Sequence, residues 1–389
     1  MSSLPEEIYL EILLMVPVKS TFLCKSVCRN WFRIISDPDF DKLHLHVSTQ
    51  RNNCRVMIIS FFATNVYSIT YDSLSSSSES KSSDDAFLKM DFPYNSSRHE
   101  TGLKGSCNGL VYGCNYKMKF YFLWNPATTE YKRLPHWDKS EDAYFNRLGD
   151  FYGFGYDYKT DDYKLVTIHI NIEDILVQLY SLKSNSWKSF ETIGHGLGCF
   201  KPSGVLCNGA LHWFGDMIGE MTPGIIVVSV DISDEKFQEL QLPMTLPPTQ
   251  YKINMAVLEG CLCVLANFEE TFEVWVMSDY GVTDSWTKLH SITNESIMCD
   301  SFFCMELIGS FKNGEILFRN SNNVILYDPK YGTARNPNVH RSMVQRVMTY
   351  FESLISLNSI TAVGRRKERK INRNLKESCK SKKRNRNVL

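Results

Sequence analysis

The sequence predicts a multi-domain chain: a small N-terminal all-α unit of three helices, a large all-β domain folded as a β-propeller, and a disordered basic tail. Three observations predict it. Helical periodicity is concentrated in the first 40 residues. Beyond Leu45, short β-rich runs alternate with turn residues, and a glycine turn and an aromatic recur at a period near 50. The last 26 residues, Gly364–Leu389, hold 12 Lys/Arg against 2 Glu, in a chain whose basic and acidic side chains are equal only as a whole, 43 of each.

The helical unit reads as follows. Ser3 and Glu6 have capping-box spacing, and Pro5 suits a first helical turn. Ile8, Ile12 and Val16 share one face, which Leu10, Leu13 and Leu14 widen, and Pro17 ends the helix. A second helix is expected over Val18–Val27 with Phe22 and Leu23 as its apolar positions. A third covers Arg29–Ser36 with Trp31, Phe32, Ile34 and Ile35, and Asp37-Pro38 ends it. Three such helices are too small to be stable alone. They also carry more apolar side chains than one small core hides, so the excess must face the rest of the chain or another protein.

The β part follows. Glycine turns precede apolar strands at Gly109 ("NGLVYG"), Gly209 ("NGALHW"), Gly260 ("EGCLCV") and Gly314 ("NGEILF"), with gaps of 100, 51 and 54. The long gap divides at the glycines of "YGFGYDYKTDDYKLV". Each unit continues as strand, polar turn and aromatic strand, and the aromatics Tyr131, Trp187, Phe237 and Trp286 follow one another by 56, 50 and 49. This is the period of a kelch-type propeller, in which sheets pack radially and the large aromatic is expected between blades. Five units are clear and a degenerate sixth lies around Val56–Tyr71. A pair of β-sandwiches would explain the strands but not the spacing. Leu74–Asp85 is Ser-rich and expected to be a surface loop, and Ser342–Asn358 is expected to be helix-capable. The domains are therefore bounded at 1–44, 45–360 and 361–389.

Composition narrows the function. Removing the tail's +10 leaves a body with 31 basic and 41 acidic residues, so it is mildly acidic. No run reaches the roughly 18 apolar residues of a membrane helix, so no membrane insertion is expected. Glu6, Glu7 and Glu11 disqualify the opening stretch as a signal peptide. The expected location is cytoplasm and nucleus, where the 12 cysteines stay reduced. Cys261 and Cys263 share a strand face, but no nearby His completes a zinc set, and no metal or cofactor is expected.

At this point the residues resemble a known family. "LPEEIYLEILLMVPVKS…KSVCRNWFRIISDPDF" is similar to an F-box. "SCNGLVYG", "LWNPATTEYKRLP", "YGFGYDYKTDDYKLV", "LYSLKSNSWKS", "LCNGALHW" and "YFESLISLN" resemble, in order, the F-box-associated domain of plant F-box/kelch-like proteins. The resemblance implies a substrate receptor of a Skp–cullin–F-box ubiquitin ligase, promoting ubiquitination of a bound target. A Skp-type adaptor and cullin would be reached through the F-box, and an unidentified target protein through the propeller. The family's adaptor-contact positions map onto Leu4, Pro5, Ile8, Ile12, Leu13, Val16, Pro17, Val18, Val27, Cys28 and Trp31. One departure stands out: the leucine pair and basic residue that usually open the second helix are replaced by Thr21, Phe22 and Leu23. The wording leans toward the branch that regulates nucleotide-binding leucine-rich-repeat immune receptors rather than the pollen factors.

No enzyme constellation is present: no G-x-S-x-G, H-E-x-x-H or P-loop. Gly153 and Gly155, and Gly194, Gly196 and Gly198, read as turns between blade strands. His212 beside Trp213 reads as a core histidine, and His195 is a base only as any histidine is. The expected mechanism is proximity, with no catalytic residue in this chain. Target contacts are assigned to the loop carrying Trp137, Tyr144, Phe145 and Arg147. The tail clusters, including Arg365, Arg366, Lys367, Lys380, Lys382, Lys383 and Arg384, have the spacing of a two-part nuclear import signal. They lack aromatics for base stacking, which disfavours nucleic acid. Two alternatives remain: a scaffold outside any ligase, and a propeller enzyme, which would need a converging His/Tyr/Cys cluster in the channel.

Overall fold

Four helices open the chain: α1 (Glu6–Leu14), α2 (Val18–Cys24), α3 (Arg29–Ile35) and α4 (Phe40–Gln50). The computed structural model describes residues 4–358 except 52, 61–64, 76–86, 94–100, 136–150, 171–174, 192–201, 217–224, 244, 247–252, 269, 298–304, 321–322 and 338–343. Ser3 lies outside the described residues. Pro5 and Pro17 precede α1 and α2 in extended conformation, with ψ of 149° and 146°. Each costs the helix nothing there, because the first N–H groups have no intrahelical acceptor. Cys28 caps α3, its Sγ accepting from Trp31 N at 3.5 Å.

The helical periodicity located α1 to α3, but α4 extends the helical part past the expected end at residue 44. Its buried residues are only Phe40, His44 and Leu45, a stripe too narrow to stand out in a polar segment. The helices share a core of Leu13, Val18, Ile34, Ile35 and Phe40, completed by Ala127 and Leu354 from the β domain. A unit too small to fold alone is thus built onto its neighbour.

The β domain has six four-stranded antiparallel sheets. Blade 1 holds β1 (Cys54–Ser60), β2 (Val66–Thr70) and β3 (Leu88–Lys89). Blade 2 holds β4 (Thr101–Cys107), β5 (Leu110–Asn115), β6 (Phe120–Trp124) and β7 (Tyr131–Arg133). Blade 3 holds β8 (Phe151–Asp157), β9 (Asp162–Ile170), β10 (Ile175–Ser181) and β11 (Ser186–Glu191). Blade 4 holds β12 (Val205–Cys207), β13 (Ala210–Asp216), β14 (Ile225–Asp231) and β15 (Phe237–Gln241). Blade 5 holds β16 (Ile253–Leu258), β17 (Cys261–Asn267), β18 (Thr271–Met277) and β19 (Trp286–Thr293). Blade 6 holds β20 (Glu306–Ser310), β21 (Ile316–Arg319), β22 (Val324–Asp328) and β23 (Thr333–Arg335).

The last strand, β24 (Val344–Phe351), closes the ring. It pairs with β1 from Cys54↔Phe351 to Ser60↔Val344 and takes the innermost place in blade 1. There it packs between β20 and β4. The helix expected over Ser342–Asn358 is therefore overturned. Val344, Val347, Met348 and Phe351 have helical spacing, but the unpaired edge of β1 offers this segment a full ladder, and tertiary pairing overrides local pattern. Of the Ser-rich loop expected over Leu74–Asp85, Leu74 belongs to a short helix, Tyr71–Ser75, and residues 76–85 lie outside the described residues.

The glycine turns join the first and second strands of their blades. Asn108-Gly109, Asn208-Gly209 and Glu259-Gly260 each have both φ values positive, 51/82, 47/78 and 51/83°, as a two-residue type I′ turn requires. Gly153 and Gly155 are not turn residues. They lie within β8, where an added Cβ would meet Leu211 and Leu206 of blade 4 at 2.8 and 2.7 Å. Glycine there lets the next blade approach.

Three of the four recurring aromatics wedge against the preceding blade. Trp187 donates to Pro135 O at 2.7 Å, Trp286 donates to Gln241 O at 3.0 Å, and Phe237 meets Phe190. Tyr131, in contrast, is exposed. Polar staples join blades as well: Lys164, buried, reaches Asp157 at 2.7 Å and Ile232 O of blade 4 at 2.7 Å.

Candidate functional site

The first candidate surface is the outside of the helical unit. Leu23 is 72% exposed, Val27 63%, Phe32 56% and Phe22 44%, with Leu4, Ile8, Ile12 and Met15 also exposed. The face of Ile8 and Ile12 points outward, while Leu13 turns inward with Tyr9, Leu10 and Leu14 packed beside it.

The adaptor-contact positions separate accordingly. Leu4, Pro5, Ile8, Ile12, Pro17, Val27 and Cys28 are exposed, and Val16 and Trp31 are half-buried. Leu13 and Val18, mapped as contact positions, are instead core residues, sealed from solvent, and can act on a partner only through the shape of the bundle. Met15, Phe22, Leu23 and Phe32 join the exposed set, and no mapped position pointed to them. The signal available was that Phe22 and Leu23 are adjacent, so one helix face cannot bury both.

The corner between α1 and α2 is held by its own polar groups. His44 Nε2 donates to Val16 O at 2.7 Å, and Thr21 Oγ1 donates to Pro17 O at 3.1 Å and Val16 O at 3.3 Å. Thr21 is fully buried. The Thr21-Phe22-Leu23 departure thus places a structural hydroxyl inside and two large apolar side chains outside.

Two of the sequence phrases mount this unit on the propeller. Asn125 Nδ2 of "LWNPATTEYKRLP" donates to Ser353 O and Ile355 O at 3.0 and 2.8 Å, within "YFESLISLN". Glu130 accepts from Ser356 Oγ at 3.0 Å and Leu357 N at 2.8 Å. Lys42 of α4 adds a bond to Asp161 at 2.6 Å, in the turn after β8. All these contacts lie where the inner strands end, so the helices sit on that face of the ring.

The second candidate is the central channel, a cavity of about 1450 Å³ lined by all six inner strands. Tyr112, Tyr116 and Tyr152 gather there around Lys104, with Cys114 behind. This cluster partly meets the condition set for an enzyme, but among the described residues no histidine lines the cavity. Burial drives the phenols of Tyr112 and Tyr116 and the thiol of Cys114 up, and Tyr152 to about 12, so they stay protonated. The thiols of Cys54, Cys107, Cys207 and Cys263 are likewise raised by burial, to between about 11 and about 12. None is an activated nucleophile. His212 is fully buried, bonded to Val205 O at 3.1 Å and Tyr280 Oη at 2.7 Å, and burial lowers its pKa to about 4. Among the described residues no group of three His, Cys, Asp or Glu could hold a metal. Trp137, Tyr144, Phe145 and Arg147, His195, the Gly194–Gly198 stretch and the basic tail lie outside the described residues.

Comparison with known proteins agrees with this architecture. The F-box domain family matches residues 1–43 and the F-box associated beta propeller domain family matches 55–357. The chain belongs to the F-box-associated β-propeller family. F-box protein CPR1 of Arabidopsis thaliana is 30% identical over 355 residues, 84% of this chain and 82% of that protein. An F-box/kelch-repeat protein of the same plant is 29% identical over 75% of this chain and 79% of its own. A third Arabidopsis F-box protein, 26% identical, aligns over 92% and 94%.

Proposed function

We propose that this chain is the substrate-recognition subunit of a Skp–cullin–F-box ubiquitin ligase, itself non-catalytic. The observation that carries the reading is the apolar surface of Leu4, Ile8, Ile12, Met15, Phe22, Leu23, Val27 and Phe32 on an F-box packed against a propeller. An apolar patch of this kind on a small domain is an interaction surface. A Skp-type adaptor is its occupant, and cullin joins through the adaptor. A target held on the propeller then has its lysines at high effective concentration near a ubiquitin-loaded partner.

The test is pull-down with a Skp-type adaptor and cullin. Leu4→Ala with Pro5→Ala is expected to abolish capture while the propeller's unfolding transition is kept. Ile12→Ala alone is expected to cost about 2 kcal/mol, roughly thirtyfold in Kd. Unchanged capture by the double variant, or an adaptor complex that never recruits cullin, would overturn the reading in favour of a scaffold. The resemblance makes a nucleotide-binding leucine-rich-repeat immune receptor the first target to try. The chain is assigned to cytoplasm and nucleus, and removing residues 361–389 from a fluorescent fusion is expected to lower its nuclear share.

A further inference from the structure

The channel holds a cation that the fold has been shaped to present. Strand β4 carries a bulge: Leu103 opposes Gly113 and Gly105 opposes Tyr112, leaving Lys104 as the extra residue. A bulge re-aims a side chain. The residues beside it are cleared for aromatic rings. An added Cβ would meet Tyr116 Oη at 2.9 Å from Gly102 and Tyr112 Cε1 at 2.6 Å from Gly105. Lys104 Nζ rests 4.6 Å from the Tyr152 ring centroid and 5.1 Å from that of Tyr116. Its partners are π faces, and no carboxylate pairs with it among the described residues.

A second cation faces the same place. Arg346 of β24 donates from Nη1 to Leu103 O at 3.3 Å, beside the bulge, and among the described residues no carboxylate pairs with it. Arg319, which also lines the channel, is instead neutralised by Glu306 at 2.7 Å. Tyr152 is 5% exposed, and its hydroxyl faces the Arg346 guanidinium without a well-aligned hydrogen bond among the described residues. Ser203 Oγ, which donates to Lys104 O at 2.9 Å and lies 3.4 Å from Tyr112 Oη, fixes the bulge from blade 4. Burial pulls the Lys104 pKa down to about 8, and the Arg346 charge adds to that pull. Two like charges held together with no carboxylate counterion among the described residues are relieved by an anion, and the Tyr152 phenol beside Arg346 is placed to donate to it.

We propose that Lys104, Arg346 and the tyrosines around them form a binding site for the oxyanion of an acidic peptide segment. The site lies toward the mouth of the channel opposite the helices, near the beginnings of β4, β8, β12 and β24. It rests on the receptor reading, because the peptide is taken to belong to the target. The oxyanion is a carboxylate or a phosphorylated side chain. The aromatic walls give its carrier a hydrophobic collar, and the two cations make binding weaken with salt.

The test uses the purified full-length chain and fluorescence anisotropy. Probes are a labelled decapeptide of alternating Asp and Ser, the same peptide with one phosphoserine, and a Lys/Ser decapeptide, with inorganic phosphate as competitor. The acidic or the phosphorylated peptide is expected to bind and the basic one not. Which of the two binds more tightly identifies the source of the oxyanion. Lys104→Met and Arg346→Gln are each expected to weaken binding about tenfold or more, whereas Lys104→Arg retains it. The unfolding temperature and adaptor capture check that the variants are folded. Adaptor capture also separates failure here from failure of the receptor reading. Binding of neither acidic peptide, competition by phosphate with no peptide binding, or full affinity in folded Lys104→Met would overturn the proposal.

Discussion

The helical unit and the propeller use apolar residues in opposite ways. Nine of the 17 exposed large apolar side chains among the described residues fall in residues 4–50, and the other eight are spread over five of the six blades. The propeller seals Trp124, Tyr112, Tyr180, Phe122, Phe272 and Phe318 between sheets. A ring of blades supplies every sheet face with a neighbour, whereas four short helices mounted on one end do not. The difference separates two jobs: the blades spend their apolar area on their own stability, and the helices keep theirs available.

Removing the closing strand would test the first half most severely. A chain ending at residue 341 leaves β1 without its inner partner and β4 and β20 without the strand between them. We expect it to lose its cooperative near-ultraviolet thermal transition entirely. A transition close to that of the full chain would mean that closure is dispensable. The second test contrasts two leucines 10 residues apart. Leu13→Ala removes a fully buried side chain and is expected to cost about 3–5 kcal/mol in urea unfolding. Leu23→Ala, mostly exposed, is expected to change stability by no more than about 0.5 kcal/mol yet to weaken adaptor capture. Equal losses of stability would erase the distinction between a core face and a docking face.

Much of this was legible in the residues, and the misreadings share a cause. The 50-residue spacing located the blades because each blade repeats one turn and one aromatic. Helices α1 to α3 followed from local period and from Pro5 and Pro17. The closing strand did not, since Val344, Val347, Met348 and Phe351 look helical until β1 is known to need a partner. Gly153 and Gly155 read as turns because the pressure on them comes from Leu211 and Leu206 in another blade. Lys104 drew no notice because a bulge breaks the period of 2, and the two glycines flanking it were its trace. Local chemistry was readable, and what one blade or partner requires of another was not.

Acid offers a test of how the propeller handles buried polar groups. Burial disfavours the charged form of His212, lowering its pKa to about 4 from 6.5, with bonds to the backbone of Val205 and Ala210 working the other way. The folded state therefore holds the neutral ring, and the unfolded chain takes up the proton first. The contribution is fully present above pH 6.5 and falls progressively as the pH drops toward 4. The full difference is about 3 kcal/mol. Urea midpoints between pH 7 and pH 4 should show this decline, and His212→Gln, which cannot titrate, should show a shallower one. Matching slopes would place the acid sensitivity elsewhere.

The smallest effect concerns one turn. Among the three type I′ turns, two begin with Asn and one with Glu259, at φ 51°. Asn tolerates the left-handed region because its short amide bonds locally, whereas a longer side chain gains no such compensation. Nothing lies within 4 Å of a Cβ added at the neighbouring Gly260, so the turn is open and its geometry is set by the backbone. Glu259→Asn is therefore expected to stabilise the chain by about 0.5 kcal/mol, read as a higher urea midpoint with an unchanged m-value. Adaptor capture should not move, because the change strengthens only the half of the molecule that uses its residues for itself. A gain in capture would mean that the propeller's stability limits the helices' docking, and the two regions would then be less independent than their surfaces imply.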